Sequence, residues 1–471
     1  MSSVITDPFR QKLLLGAIAL GVVMDGIDGS IVNVALPAMA AYFSTDTGTI
    51  AWVIITYLLM MAGLLLVFGK LADRGRAKSL FLYGFAIFTI GSAACGVAPT
   101  LEILLAARLL QGAGAAMIAA VAPLLCLRYL PKDMLGTALG VIAATSSIGF
   151  AAGPAIGGIL TQHLSWHWIF LVNIPIGIAG ILFAARVIPG DEPEDRAGPF
   201  DYPGALTLFG SMVCLTFAVE EVAARGFADP LILGCVALFI LCTGFFTARE
   251  LTVPEPFLNI RIFASWKFSA ALAAYLLMNI IFMGVLYLLP FYLTTAMQFD
   301  LMTSGICLLI PPIIIAVAGV PFGRWSDRAG RRPFAVFACV IVVFYSAVFA
   351  IITPASGFLP LLFGLILMGA AFGIAAGPAS SRIIETAPEG EEGTGSSLMV
   401  TAIYFGGVLG TAIYAAIFTF ATMDVGTVVD FAGLSPAVLL MGFHVTVAAG
   451  LIPAVLSVVF SAMVPEGKRD G

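Results

Sequence analysis

Gly69-Lys-Leu-Ala-Asp73-Arg74 returns as Gly323-Arg-Trp-Ser-Asp327-Arg328, 254 residues further along the chain. Each copy closes a long apolar run, and bases follow it: Arg76 and Lys78 after the first, Arg331 and Arg332 after the second. Other landmarks repeat at nearly the same step. Pro131 and Gly136-Thr137 answer to Pro388 and Gly393-Thr394, and Gly149 and Gly153 answer to Gly406 and Gly410. Two halves of six membrane helices, at about 32 residues per helix and loop, would repeat at roughly 195. The excess of about 60 residues is the length of one additional helix pair. Its place is given by the acidic stretch Gly190-Asp-Glu-Pro-Glu-Asp-Arg-Ala-Gly-Pro-Phe-Asp-Tyr-Pro-Gly204. The expected organisation is a six-helix bundle over residues 1–190, an acidic linker with two extra helices over 191–260, and a second six-helix bundle over 261–471.

Composition makes lipid the solvent. Of the 471 residues 61% are hydrophobic and only 10% charged, against about 45–50% and 25% in soluble domains. A span needs about 20 mostly apolar residues. On that rule helices fall near Leu13–Pro37, Ile50–Lys70, Ser79–Ala98, Leu101–Leu125, Gly136–Leu160 and Trp166–Ile188. Two more lie near Ala205–Glu220 and Leu231–Thr247. The last six lie near Phe268–Ala296, Ser304–Trp325, Phe334–Ile352, Gly357–Ile384, Gly395–Ala421 and Ala437–Val464. The first run is too long for a signal h-region of about 7–15 residues and no cleavage site follows it, so an uncleaved span is expected. With the N-terminus inside, 20 of the 22 Lys and Arg fall on the cytoplasmic side, Arg225 falls outside and Arg108 lies within a span. That bias is the positive-inside pattern, and a missed helix would scramble it. Both termini are therefore expected in the cytoplasm, with the chain in the plasma membrane.

Other chemistries lack their signatures. Basic runs suited to nucleic acid are absent. The seven cysteines are scattered through apolar stretches without a CxxC pair and behave as small hydrophobes. No metal-binding spacing occurs. Gly63 and Gly69-Lys70 stand one residue too far apart for a P-loop. A membrane enzyme would need a nucleophile with its base, and none is seen, so an enzyme is not expected. No cofactor or metal is implied.

The first span carries two acids among apolar residues, Asp25 and Asp28. A carboxylate at mid-bilayer costs about 2.5–3.5 kcal/mol on insertion scales, so such residues are functional candidates. Their i,i+3 spacing puts both on one helix face, continued by Gly29 and Asn33, which is expected to line an aqueous cavity. Arg108, on the fourth span, lies at nearly the depth of Asp28 and is expected to face it. The guanidinium would favour the charged form of Asp28 and leave Asp25 freer to take a proton. Gln111 follows one turn after Arg108 and is a further cavity candidate.

These strings resemble known ones. Gly69–Lys78 and Gly323–Arg332 look like the loop motif of the major facilitator superfamily; the second copy is complete, and the first has Arg76 where glycine is usual. Asp28-Gly-Ser30-Ile-Val-Asn33-Val-Ala-Leu-Pro37 resembles the first-helix signature of fourteen-span drug:proton antiporters, to which Asp25 is additional. Arg108-Leu-Leu-Gln111-Gly-Ala-Gly114 resembles the fourth-helix motif that the family associates with proton transfer. Gly149-Phe-Ala-Ala-Gly153-Pro154-Ala-Ile-Gly157-Gly158 matches the fifth-helix antiporter signature. Its glycines at i, i+4 and i+8 also give a smooth face for close helix approach, and Pro154 removes a backbone donor. Trp166-His167-Trp168 through Asn173 and Pro175 again resembles the fourteen-span group, with His167 where Arg is common.

The resemblance implies an all-α integral membrane protein of two pseudo-symmetric six-helix bundles plus two extra helices. It implies a proton-coupled exporter of lipophilic, cationic drugs working by alternating access. Its partners would be such small molecules, protons and the lipid bilayer, and the chain would act as a monomer. Asp73, with Gly69, Arg74, Asp327 and Arg328, would form the cytoplasmic gate. Asp73 would do so by accepting hydrogen bonds from the amides that open the thirteenth span near Gly393. A dedicated exporter of one metabolite or peptide on the same fold is the nearest alternative, and a channel is the next.

Overall fold

The computed structural model describes residues 5–72, 76–131, 134–191, 201–253, 256–389, 391–423 and 435–465. Among these, fourteen helices are long and apolar enough to cross a bilayer. They are α1 (Pro8–Phe43), α2 (Thr47–Leu71), α3 (Ala77–Gly96), α4 (Leu101–Tyr129), α5 (Thr137–His163), α6 (Trp168–Val187) and α7 (Tyr202–Arg225). After them come α8 (Pro230–Thr252), α9 (Trp266–Ala296), α10 (Leu301–Ser326), α11 (Arg331–Ile351), α12 (Phe358–Thr386), α13 (Gly393–Thr422) and α14 (Pro436–Met463). Large apolar side chains stay exposed on their outer faces, among them Ile148 at 64%, Leu241 at 68% and Phe344 at 60%. Water would not tolerate that surface; acyl chains match it.

The helices overrun the limits that hydropathy suggests. α1 does not end at Pro37 but continues to Phe43, with the proline inside it. Pro37 has no N–H to donate to the carbonyl of Asn33, four residues back, and the helix continues without that bond. α7 likewise continues past Glu220 to Arg225, because Arg225 pairs with Glu221 at 2.8 Å one turn earlier and neutralises both on the helix surface. α10 runs unbroken through Pro311, Pro312 and Pro321.

Starts are capped as local chemistry dictates. Asp201 accepts the amide of Gly204 at 3.0 Å to open α7, and Asp229 accepts that of Leu231 at 2.8 Å to open α8. Asp300 accepts the amide of Thr303 at 2.8 Å to open α10. Hydrogen bonds from Thr303, and a weaker one from Gln162, hold its carboxyl below the usual carboxylate range.

The chain divides into two compact units. One comprises Met1–Met39, Trp52–Pro199 and Asp300–Leu309. Within it α3 lies along α4, and α6 lies against α3. Small residues bring these backbones together: a Cβ on Gly91 would stand 2.7 Å from the amide nitrogen of Gln111. The end of α6 is bound to the start of α3 in both directions. Asp191 accepts the amides of Lys78 at 2.8 Å and Ser79 at 3.1 Å, while Lys78 Nζ donates to the carbonyls of Ala185 and Ile188 at 2.9 and 2.7 Å. Carboxylate on a helix N-terminus and ammonium on a C-terminus are the stabilising placements.

The other unit comprises Ala40–Ala51, Phe200–Phe299 and Ile310–Gly471. Here α9 packs on α13, α11 on α12, and α14 on α9 and α11. The additional helices α7 and α8 pack on each other, and α7 also packs on α13. Arg332, the last base of the second loop repeat, donates to the carbonyl of Ala462 at the end of α14, as Lys78 does for α6. The repeat read in the sequence therefore recurs as a contact: its final base caps the closing helix in each half.

Candidate functional site

Asp28 lies on the inner face of α1 with no solvent exposure. Three donors from two other helices reach its carboxylate. Arg108 Nη1 donates to Oδ2 at 2.7 Å, Gln111 Nε2 to Oδ1 at 2.7 Å, and Asn173 Nδ2 to Oδ1 at 3.0 Å. A buried charge is tolerated only when paired and hydrogen-bonded, and this one is both.

Arg108, 1% exposed, is held as tightly. Its Nε donates to the carbonyl of Val53 on α2 at 2.9 Å, and Nη1 also donates to Gln111 Oε1 at 2.6 Å. The guanidinium carbon lies 4.2 Å from the ring centroid of Tyr57 and 5.6 Å from that of Phe170. Gln111 also donates from Nε2 to Ser92 Oγ at 2.8 Å, and its Oε1 accepts from Cys95 Sγ at 3.6 Å. It is a fully buried member of the Asp28 network.

Asp25, one turn earlier, is only half-buried. It accepts a single described hydrogen bond, from the hydroxyl of Tyr57 to Oδ1 at 2.6 Å. The two acids share a helix face but not a condition: Asp28 is saturated with donors, and Asp25 is nearly bare. Asn33 stays apart from both, its Nδ2 donating at 3.5 and 3.3 Å to the carbonyls of Gly29 and Ser30 in its own helix.

The glycine face of α5 lies on α1 directly behind these acids. A Cβ on Gly149 would stand 2.6 Å from the carbonyl oxygen of Val23, and one on Gly157 2.7 Å from that of Ile31. At Gly153 it would run into Ser30, whose Oγ donates to the carbonyls of Gly26 and Ile27 at 3.1 and 3.2 Å. Gly158 faces another way, toward the carbonyl of Leu301 at the head of α10, and Gly305 approaches Pro154 from the same segment. Gln162 completes that contact, donating to Asp300 Oδ2 at 3.1 Å and accepting the Met302 amide at 2.8 Å.

Of the gate candidates, Gly69 sits in the last turns of α2, where an added Cβ would meet nothing within 4 Å. Asp73 and Arg74 lie outside the described residues, as does the Asp327 side chain, and Arg328 is an exposed residue beyond α10 in a helical continuation to Ala329. His167 stacks on Trp166 at 3.7 Å just before α6. Burial pushes its imidazole below its ordinary value, so near neutrality it does not supply the positive charge of an arginine. His444 bonds the carbonyl of Ile352 at 2.6 Å, a helix-packing contact.

Three participants escaped the sequence reading. Asn173 stood in a recognised string, yet nothing marked it as a ligand of Asp28; its signal was an amide inside the apolar run Trp168–Gly177. Ser92 and Tyr57 sit in runs where a small hydroxyl and an aromatic ring are commonplace, and only the packing of α2 and α3 on α4 brings them in.

Fourteen apolar helices among the described residues, an internal repeat in one orientation and a buried acid–base cluster are the marks of a membrane transporter. The chain belongs to the Major Facilitator Superfamily, whose sequence profile matches residues 18–411. It therefore has that fold, two pseudo-symmetric six-helix bundles with two further helices between them in the chain. It is 31% identical over 410 residues to the riboflavin transporter RibZ of Clostridioides difficile, covering 87% of this chain and 89% of that protein. It is 29% identical over 410 residues to the multidrug resistance protein B homolog of Mycobacterium tuberculosis, covering 86% of this chain and 76% of that one. Its fold is similar to that of a bacterial homologue of the human lysosomal transporter Spinster, crystallised inward-facing and unoccupied. There the TM-score is 0.68 and the identity 16%, over 98% of both chains.

Proposed function

We propose that this transporter is a proton-coupled antiporter that exports lipophilic, cationic drugs or toxic compounds by alternating access. The observation that carries the reading is the unequal pair on α1: Asp28 ringed by Arg108, Gln111 and Asn173, and Asp25 half-open with one donor. A carboxylate that already accepts three hydrogen bonds, one of them within an ion pair, holds its charge; one left with a single donor can exchange a proton or pair with a cation. Asp25 is then the exchanging acid, and Asp28 with Arg108 is the charged element that senses it. Asp25 is the half-open acid of the substrate path; Asp28 and Gln111 back it from the buried network, and Asn33 lies further along the same helix. Within the antiporter string, Gly149, Gly153 and Gly157 form the face that sets the register of α5 on α1, and Pro154 and Gly158 seat the head of α10.

The wider scheme follows the same reading. Residues 1–190 and 261–471 act as the two rocking bundles, with 191–260 as the inserted linker and helix pair. Asp73 and Arg74, with Gly69, Asp327 and Arg328, gate the cytoplasmic side. The protein acts as a monomer in the plasma membrane with both ends cytoplasmic, an orientation supported by its basic loops.

Purified protein in proteoliposomes tests this. An acidic lumen should drive saturable uptake of a quaternary-amine dye, and Asp28→Asn should abolish that uptake with insertion unchanged. Persistent pH-driven flux in Asp28→Asn would remove Asp28 from the mechanism. The relative named as a riboflavin transporter favours a second reading, export of one metabolite. A single compound that alone drives or competes for flux, across a panel of dyes, amines and flavins, would select it.

A further inference from the structure

Tyr57 touches both halves of the acid–base cluster at once. Its hydroxyl donates to Asp25 Oδ1 at 2.6 Å, and its ring lies 4.2 Å beneath the guanidinium carbon of Arg108. The side chain is buried, 2% exposed, on α2, the same helix that offers the Val53 carbonyl to Arg108 Nε at 2.9 Å. α2 is pinned there because Gly112 of α4 admits it: a Cβ on Gly112 would stand 2.7 Å from the carbonyl oxygen of Tyr57. Backbone and ring of one residue are thus fixed against α4, while its hydroxyl reaches α1.

We propose that Tyr57 is the positioning residue through which the protonation state of Asp25 reaches Arg108 and, through Arg108, Asp28. The inference rests on the reading of Asp25 as the exchanging acid. When Asp25 is charged, the phenol makes a charge-assisted hydrogen bond, about twice as strong as a neutral one, and the ring is held flat under the guanidinium. When Asp25 takes a proton, that bond falls to neutral strength and the ring is free to tilt. Arg108 then loses one face of its support while keeping Asp28, Gln111 and Val53. A cation arriving at Asp25 competes for the same carboxylate and loosens the same bond, so proton and substrate act on one linkage. The titratable and charged groups of the cluster around Asp25 are Asp28 from α1, Tyr57 from α2, Cys95 from α3 and Arg108 from α4; on the α5 side, Ser146, Gly149 and Phe150 lie nearest Gly26.

The test needs no transported compound. Full-length protein in lipid nanodiscs is titrated by infrared difference spectroscopy, following the carbonyl stretch of protonated carboxyl and assigning the Asp25 band by its loss in Asp25→Asn. Tyr57→Phe keeps the ring and removes the donor. Its Asp25 band should persist to more alkaline pH by about one unit, because the lost hydrogen bond favoured the charged form. The Arg108 guanidinium bands, assigned by arginine isotope labelling and their loss in Arg108→Lys, should titrate with Asp25 in wild type and no longer do so in Tyr57→Phe. Tyr57→Leu removes the ring as well, and should also shift those bands themselves. A Tyr57→Phe titration superimposed on wild type overturns the link to Asp25. Guanidinium bands that follow Asp25 equally well in Tyr57→Phe and wild type overturn the link to Arg108. Should Tyr57→Leu fail to fold, both decisions still come from Tyr57→Phe. A failure of proton-driven flux in proteoliposomes leaves these titrations readable, so the two ideas fall separately.

Discussion

Asn173 on α6 donates to the same oxygen of Asp28, Oδ1, that Gln111 holds from α4, at 3.0 and 2.7 Å. The carboxylate is therefore clamped by two amides and one guanidinium, and α4 and α6 both meet on a single side chain of α1.

Removing one amide tests that clamp. Asn173→Ala takes a hydrogen bond from a buried charge, worth about 1.5–3 kcal/mol. Dye efflux should fall at least tenfold, and the thermal midpoint in detergent should drop by several degrees. An Asn173→Ala protein with wild-type efflux and midpoint would show that Gln111 and Arg108 suffice.

Arg108→Lys keeps the charge and loses the shape. A lysine has no planar fork to reach Asp28, Gln111 and the Val53 carbonyl together, and no flat face for Tyr57. Transport is expected to fall by more than tenfold despite normal membrane insertion. Near-normal rates would mean that charge alone, rather than the guanidinium geometry, is needed at this position.

The fit of α5 on α1 predicts a suppressor. Gly153→Ala drives a methyl into Ser30, and the expressed yield of folded protein should collapse. Ser30→Gly should recover part of it by opening the space, since Ser30 donates only to carbonyls of its own helix. No defect in the single variant would contradict the observed contact, and recovery absent in the double one would assign the clash to the backbone of Ile27 and Ile31.

At the start of α3, Asp191→Ala removes the carboxylate that accepts the amides of Lys78 and Ser79. A lost N-terminal cap costs about 0.5–2 kcal/mol. Unfolding in detergent should show it, while the pH profile of efflux should stay in place because the described partners of Asp191, Lys78 and Ser79, share no bond with the Asp28 network. A moved profile would indicate coupling between this cap and the acid cluster.

Much of this protein was legible in one dimension. The repeat of Gly69–Arg74 at Gly323–Arg328, the fourteen apolar runs and the two acids of α1 required only composition, spacing and the cost of placing charge in hydrocarbon. Those are properties of single helices in lipid, and a single helix is written contiguously in the chain. The helices end at Phe43 and Arg225 rather than at Pro37 and Glu220, because hydropathy ends where polar residues begin whereas a helix continues as long as its polar groups find partners.

What the tertiary structure alone decided is the inequality of Asp25 and Asp28. Three residues apart on one face, they are chemically alike until α4 and α6 deliver Arg108, Gln111 and Asn173 to one of them and α2 delivers only Tyr57 to the other. Partners that lie 32 to 145 positions away leave no local trace. Whether a buried carboxylate keeps its charge depends on donors counted in space, and the chain order does not record them.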